Sequence, residues 1–98
     1  MAEYRISERA RQRLIEIYVF TDLNYRRMQA DAYHAGFEKT FELIASYPGI
    51  GRSADELRTG YRRYRHQSHF VFDTIGHDHV VIRSIVHTAQ DLRPDLFD

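Results

Sequence analysis

The side chains best equipped for chemistry in this sequence are arginines and histidines, and they are unevenly placed. Residues 48 to 66 hold five of the fourteen basic residues, Arg52, Arg58, Arg62, Arg63 and Arg65, against two acidic ones, Asp55 and Glu56. Tyr61 and Tyr64 stand among them. A planar guanidinium forks onto carboxylates and phosphates or stacks on aromatic faces. Interleaved Arg and Tyr serve protein hot spots and nucleic-acid stacking platforms alike. The same composition also keeps an exposed edge strand soluble, so partner surface and solvated edge both stay open. Arg62, Tyr64 and His66 alternate onto one face of a strand, and Tyr61, Arg63 and Arg65 onto the other. Arg52 and Glu56 read as a pair that fixes the course of the loop.

His87 closes an apolar run and has the intrinsic pKa that proton transfer needs near neutrality. The expected role is the plainer one, a hydrogen bond at a strand end to a carboxylate such as Asp91. Arg83 alternates with apolar neighbours, so it either pairs with a buried carboxylate or points into a groove for a ligand or partner. His77-Asp78-His79 carry ligand atoms in a polar turn, but no third ligand follows in sequence, and no metal is expected there. No Ser–His–Asp order, phosphate-binding loop or dinucleotide fingerprint is present, and no cofactor is expected.

A chain of 98 residues makes one domain, residues 1–98, which at this size buries roughly 65% of its unfolded surface. The absence of cysteine excludes disulfides, thiolate zinc sites and thiol catalysis, and fits a cytoplasmic protein. No run approaches the ~20 apolar residues of a membrane span. The N-terminus runs straight into a patterned segment, so no signal peptide is expected. Net charge is zero, yet the basic side is thirteen Arg and the single Lys39. Neutrality argues against a broad electrostatic footprint for nucleic acid, and no sequence-specific nucleic-acid binding by the isolated chain is expected.

These groups must be positioned by elements that the periodicity predicts. Glu3 to Ile6 alternates as a short strand. Ser7 caps a helix in which Ala10, Leu14, Ile17 and Tyr18 form the buried stripe, ending near Asp22. Arg9, Arg11, Arg13 and Glu16 fall on its solvated side. Asn24 is expected to cap a second helix with Ala30, Tyr33, Phe37, Phe41 and Ile44 inward. Gly36 within that helix suggests close approach of another backbone. Pro48-Gly49 stops it, and the short link makes the pair an antiparallel hairpin. After a loop to Gly60, with one helical turn at Ala54 to Arg58, three strands follow as a meander: Tyr61 to Gln67, Ser68 to Ile75 and Val80 to His87. Val80, Ile82, Ser84 and Val86 share one face of the last strand, and Val81, Arg83, Ile85 and His87 the other, which places it centrally. Leu92, Leu96 and Phe97 suggest a docked tail. The expected class is α+β, a helical hairpin on a mostly antiparallel four-stranded sheet in the order β-α-α-β-β-β.

That order, and a set of local motifs, resembles the ParE/RelE superfamily of bacterial toxins, its ParE branch in particular. The motifs are Ser7 with Ala10, Gln29-Ala30 with Tyr33, and Pro48-x-x-Gly51-Arg52. Then come Glu56-Leu57-Arg58-x-Gly60-x-Arg62, His69 with Phe70-Val71-Phe72, and Val81 to His87 with Asp91. The resemblance implies the toxin of a type II toxin–antitoxin system, a non-enzymatic poison of DNA gyrase. Its implied partner is a ParD-like antitoxin with a ribbon-helix-helix part. The residues expected to meet a partner are Arg52, Glu56, Arg58, Tyr61, Arg62, Tyr64 and Arg83. RelE-type relatives instead cut mRNA on the ribosome, and here that alternative would rest on Arg62 and Arg83 holding phosphate with His87 as acid/base. The lysines such nucleases carry are missing. A non-toxic relative that only binds its antitoxin is the remaining alternative.

Overall fold

Among the described residues, alternation and helical spacing are realised in two α-helices and five strands. They are β1 (Tyr4–Ile6), α1 (Glu8–Asn24), α2 (Arg27–Ser46), β2 (Arg52–Ser53), β3 (Arg62–His66), β4 (His69–Ile75) and β5 (Val80–His87). The computed structural model describes residues 3–97; Met1, Ala2 and Asp98 of the expected 1–98 domain lie outside the described residues. The sheet runs β1-β5-β4-β3-β2. Every neighbour is antiparallel except β1, which lies parallel to β5. The α+β class is as expected and β5 is central, but the sheet has five strands rather than four. The extra strand, β2, has two residues, Arg52 and Ser53, opposite Arg63 and Arg62. Two residues are too few to show an alternation in sequence.

Ser7 opens α1 as predicted, and does more. Its hydroxyl accepts from the Ala10 N–H at 3.1 Å and donates to the Arg83 carbonyl at 2.8 Å, so one side chain joins the helix start to β5. Asn24 does not cap the second helix. It lies in the last turn of α1, where its amide donates to the Phe20 carbonyl at 2.8 Å. α2 begins at Arg27 without a side-chain cap, and Arg27 instead bonds Asp22 across the corner at 2.8 and 3.1 Å. The helices pack as a hairpin, with the Tyr18 hydroxyl donating to the Asp31 carboxylate at 2.6 Å and its ring edge-on to His34.

One apolar core lies between helices and sheet: Leu14 and Ile17, then Phe37, Phe41 and Ile44, against Val71, Val80, Ile82 and Ile85. A second core lies on the opposite face of the sheet, where Ala54, Tyr61, Phe72, Val86 and Phe97 meet. The tail docks as its apolar residues suggested. Phe97 meets Phe72 and Tyr61 edge to face at 4.6 and 5.6 Å between ring centres. Arg9 donates to the Leu96 carbonyl at 2.6 Å, and Arg58 to that of Phe97 at 3.3 Å.

The face assignment of β5 requires correction. Phe72 pairs with Ser84, but the next residue, Asp73, pairs with Ile82, so Arg83 is stepped over as a bulge. An extra residue reverses the alternation beyond it. Val80 and Ile82 therefore join Ile85 and His87 on the helix side, while Ser84 and Val86 face the tail. Gly36 also differs from expectation, since it makes room for a side chain: a Cβ there would stand 3.0 Å from the His66 ring. Gly51 does admit a backbone, with the Arg63 carbonyl 2.9 Å from where a Cβ would sit.

Candidate functional site

Three histidines line up across the helix-side face of the sheet. His66 pairs with His69 around the tight β3–β4 turn, and His69 pairs with His87 of β5. Direct cross-strand partners share a face, so the three imidazoles form a row. Tyr33 of α2 lies over the row and its hydroxyl meets His69 Nδ1 at 2.7 Å. The rings of His69 and His87 stand edge to face at 5.2 Å. Burial, with His87, Arg13 and His66 adding like charge, lowers the His69 pKa to about 4, so this imidazole is neutral at pH 7.

Hydrogen-bond logic fixes the tautomer of His66. The Thr40 hydroxyl donates to the Gly36 carbonyl at 2.9 Å, so at the 3.2 Å contact with His66 Nδ1 the ring must be the donor. That leaves Nε2 as a buried acceptor with no partner among the described residues. His87 was expected to bond Asp91; instead its Nδ1 accepts from the Ala89 N–H at 3.0 Å.

The row ends in a cleft of about 740 Å³ with His69 and His87 on its floor. Ile17 and Phe20 of α1, with Tyr25 at the helix corner, form its apolar wall, and Arg13 closes one side. Arg13 was expected on the solvated helix face, but its Nε donates to the Ile85 carbonyl at 3.1 Å. Outside the cleft Ile15, Val19 and Leu23 recur at i, i+4 and i+8 along α1 and are all exposed. That spacing is one unpartnered apolar stripe.

The residues expected to meet a partner are scattered. Arg52 is exposed, and among the described residues no hydrogen bond or ion pair engages it. Glu56 pairs with Arg63 at 3.7 Å rather than with Arg52. Arg58 holds the tail. Tyr61 is buried in the second core rather than presented at the surface. Tyr64 is half-buried against the helix-side core. Arg62 donates to the carbonyls of Gly51 and Gly49, tying the loop after α2 to the sheet. Beside it Asp73 is 1% exposed, and burial pushes its pKa up to about 7 against the pull of Arg62. Among the described residues Arg83 pairs with no buried carboxylate: its Nε donates to the Thr74 hydroxyl at 3.0 Å on the tail-side face.

The nuclease set is not assembled. Arg62 and His87 face the helices at opposite ends of the sheet, and Arg83 faces the other way, ~13 Å of strand from His87. Sequence reasoning overlooked Tyr33 as a cleft residue and the histidine row. A two-residue turn between His66 and His69 does place those two opposite one another, but nothing local pairs His69 with His87.

A helical hairpin on a mixed sheet, with an exposed apolar stripe and an open cleft along the first helix, defines a small α+β protein. The chain belongs to the family described as ParE toxin of type II toxin-antitoxin system, parDE, which it matches over residues 4–92. It is 35% identical over 96 residues to Toxin ParE1 of Caulobacter vibrioides, covering 98% of this chain and 99% of that one. It is 29% identical over 96 residues to Toxin ParE1 of Mycobacterium tuberculosis, covering 97% and 98%. A solved structure described as the chromosomal ParDE TA system from P. aeruginosa shares the fold. Its TM-score is 0.76 at 14% identity, over 89% of this chain and 96% of that one. Among the described residues no helix is long and apolar enough to cross a membrane.

Proposed function

We propose that this toxin is a non-enzymatic cytoplasmic growth inhibitor, neutralised by a ParD-like ribbon-helix-helix antitoxin and poisoning DNA gyrase when free. The observation that carries the antitoxin half is the exposed stripe of Ile15, Val19 and Leu23 leading to the cleft under Phe20 and Tyr25. An amphipathic antitoxin segment buries such a surface by helix-in-groove packing. Gyrase rests on the resemblance to ParE-type members. The dispersal of Arg62, Arg83 and His87 speaks for a poison rather than a ribonuclease, because phosphoryl transfer needs its groups held around one phosphate.

Induction without the antitoxin tests the reading. The expected result is growth arrest with gyrase trapped on cleaved DNA and cellular mRNA intact. Cut mRNA on translating ribosomes without trapped gyrase would overturn it in favour of the ribonuclease, and normal growth in favour of the inert relative. Val19→Asp with Leu23→Asp should abolish co-purification of the antitoxin.

A further inference from the structure

The floor of the cleft presents N–H groups with no acceptor opposite them among the described residues. Burial raises the Tyr33 pKa while a hydrogen bond from the Ser68 backbone pulls it down. Only an N–H donating to the phenol oxygen acts in that sense. The phenol proton then goes to His69 Nδ1, 2.7 Å away, and the single proton of this neutral imidazole sits on Nε2. His87 Nδ1 accepts from the Ala89 N–H at 3.0 Å, which leaves its proton on Nε2 as well. Among the described residues neither Nε2–H has a hydrogen-bond partner, although His69 is only 8% exposed. Arg13 adds a guanidinium at the side, held by the Ile85 carbonyl at 3.1 Å and by Glu16 at 2.6 Å. Glu16 also lines the cleft, but among the described residues its carboxylate bonds neither histidine.

We propose that the cleft receives an Asp or Glu carboxylate of the antitoxin segment that covers the α1 stripe, held by His69 Nε2, His87 Nε2 and the Arg13 guanidinium. The proposal rests on the antitoxin reading given above. A carboxylate is acceptor-only and has lone pairs for several donors at once. A neutral carbonyl would suit the N–H groups but not the charge. After burial itself, His87, Arg13 and His66 hold the His69 pKa down, so the floor is short of negative charge. A phosphate would bring too much. Among the described residues Arg13 is the one Lys or Arg lining the cleft, Glu16 already shares it, and the wall beside it is Ile17, Phe20 and Ala32. A free organic acid would satisfy the floor but leave Ile15, Val19 and Leu23 in water. Phe20 is exposed, lines the cleft and follows Val19 in the chain, so one segment can cover stripe and cleft together.

The test is a double-mutant cycle on the toxin–antitoxin complex, with affinity read by calorimetry. Each Asp of the antitoxin is changed to Asn and each Glu to Gln in turn. One position should weaken binding roughly 10- to 100-fold, the worth of a hydrogen bond to a charged group. His87→Leu should weaken binding by a similar factor, and adding it to that change should cost little more than either alone. His87→Gln, which keeps an N–H near the place of the ring Nε2, should restore most of the loss. Arg13→Gln supplies a second cycle, and thermal melts establish that each variant is folded. The proposal is overturned if no acidic position couples to His87 or Arg13, or if His87→Gln binds as poorly as His87→Leu. It is overturned too if 3-phenylpropionate still shifts the His69 and His87 ring resonances in the complex, which would give the cleft to a free acid. An antitoxin that fails to bind the parent chain overturns the antitoxin reading itself, whereas parent binding with no coupled acid overturns only the carboxylate.

Discussion

The two faces of the sheet are both buried, but by different kinds of chain. On one side α1 and α2 bring Leu14, Ile17, Phe37, Phe41 and Ile44 down in register, and the helices hold their own backbone hydrogen bonds. On the other, the loop through Ala54 and Tyr61 and the tail through Leu92 and Phe97 cover Phe72 and Val86 with little regular structure of their own. The helical lid also encloses the buried side chains of His69 and Asp73. The irregular lid is pinned by arginines donating to main-chain carbonyls at its end. Burial alone therefore does not measure how firmly a face is closed; what matters is whether the lid keeps its shape when one contact goes.

The largest test of that contrast is Phe41→Ala. The ring is 0% exposed in the helix-side core, and its loss should cost about 3–5 kcal/mol in urea unfolding as one cooperative transition. Titration comes next. His69 has a folded pKa of about 4, below its ordinary 6.5, so it contributes stability above that ordinary value that is lost as pH falls from 6.5 towards 4. Asp73 has a folded pKa of about 7, above 3.8, so its contribution is present at low pH and lost as pH rises from 3.8 towards 7. The two oppose one another. His69→Phe should expose the Asp73 trend, making the slope of stability against pH more negative by about 1.4 kcal/mol per unit between pH 4 and 6.5.

On the irregular side, Phe97→Ala should cost about 2 kcal/mol, less than the usual ~3–5 for a buried Phe, because a chain end can swing out without unfolding the sheet. Limited proteolysis should then cut within residues 88–97 while residues 3–87 survive. Arg58→Ala should be the mildest, about 1 kcal/mol, with faster exchange of the Phe97 amide as its signature. If Phe97→Ala instead lowers stability as much as Phe41→Ala in a single transition, the distinction between the two lids fails.

The helical side was readable because its stripes at threes and fours are long. The docked tail was readable too, from Leu92, Leu96 and Phe97. What could not be read depends on contacts between distant residues. The bulge at Arg83 is invisible along β5, since apolar residues on both sides of it look like a strand buried on both faces. Asn24 has an excellent capping side chain, but the chain continues α1 through it and lets Arg27 and Asp22 fasten the corner. In the site, the arginine-rich stretch drew attention by composition. Three of its expected partner residues, Arg58, Tyr61 and Arg62, turned out to hold the molecule together. The cleft was missed because Tyr33 and the histidines each look like ordinary core residues until three strands are aligned.

The bond from Ser7 to Arg83 spans 76 positions in the chain, and β1 pairs in parallel with β5, Tyr4 against Val80. The first strand therefore has no sheet partner until residues 80–82 have been made. During synthesis, at roughly 5–20 residues per second, the helical hairpin can form while Tyr4 and Ile6 remain unpaired beside it. Closure of the sheet therefore waits on β5, the last strand in the chain order. The nascent chain thus passes through a stage in which the hairpin is helical and the sheet it will cover is still incomplete.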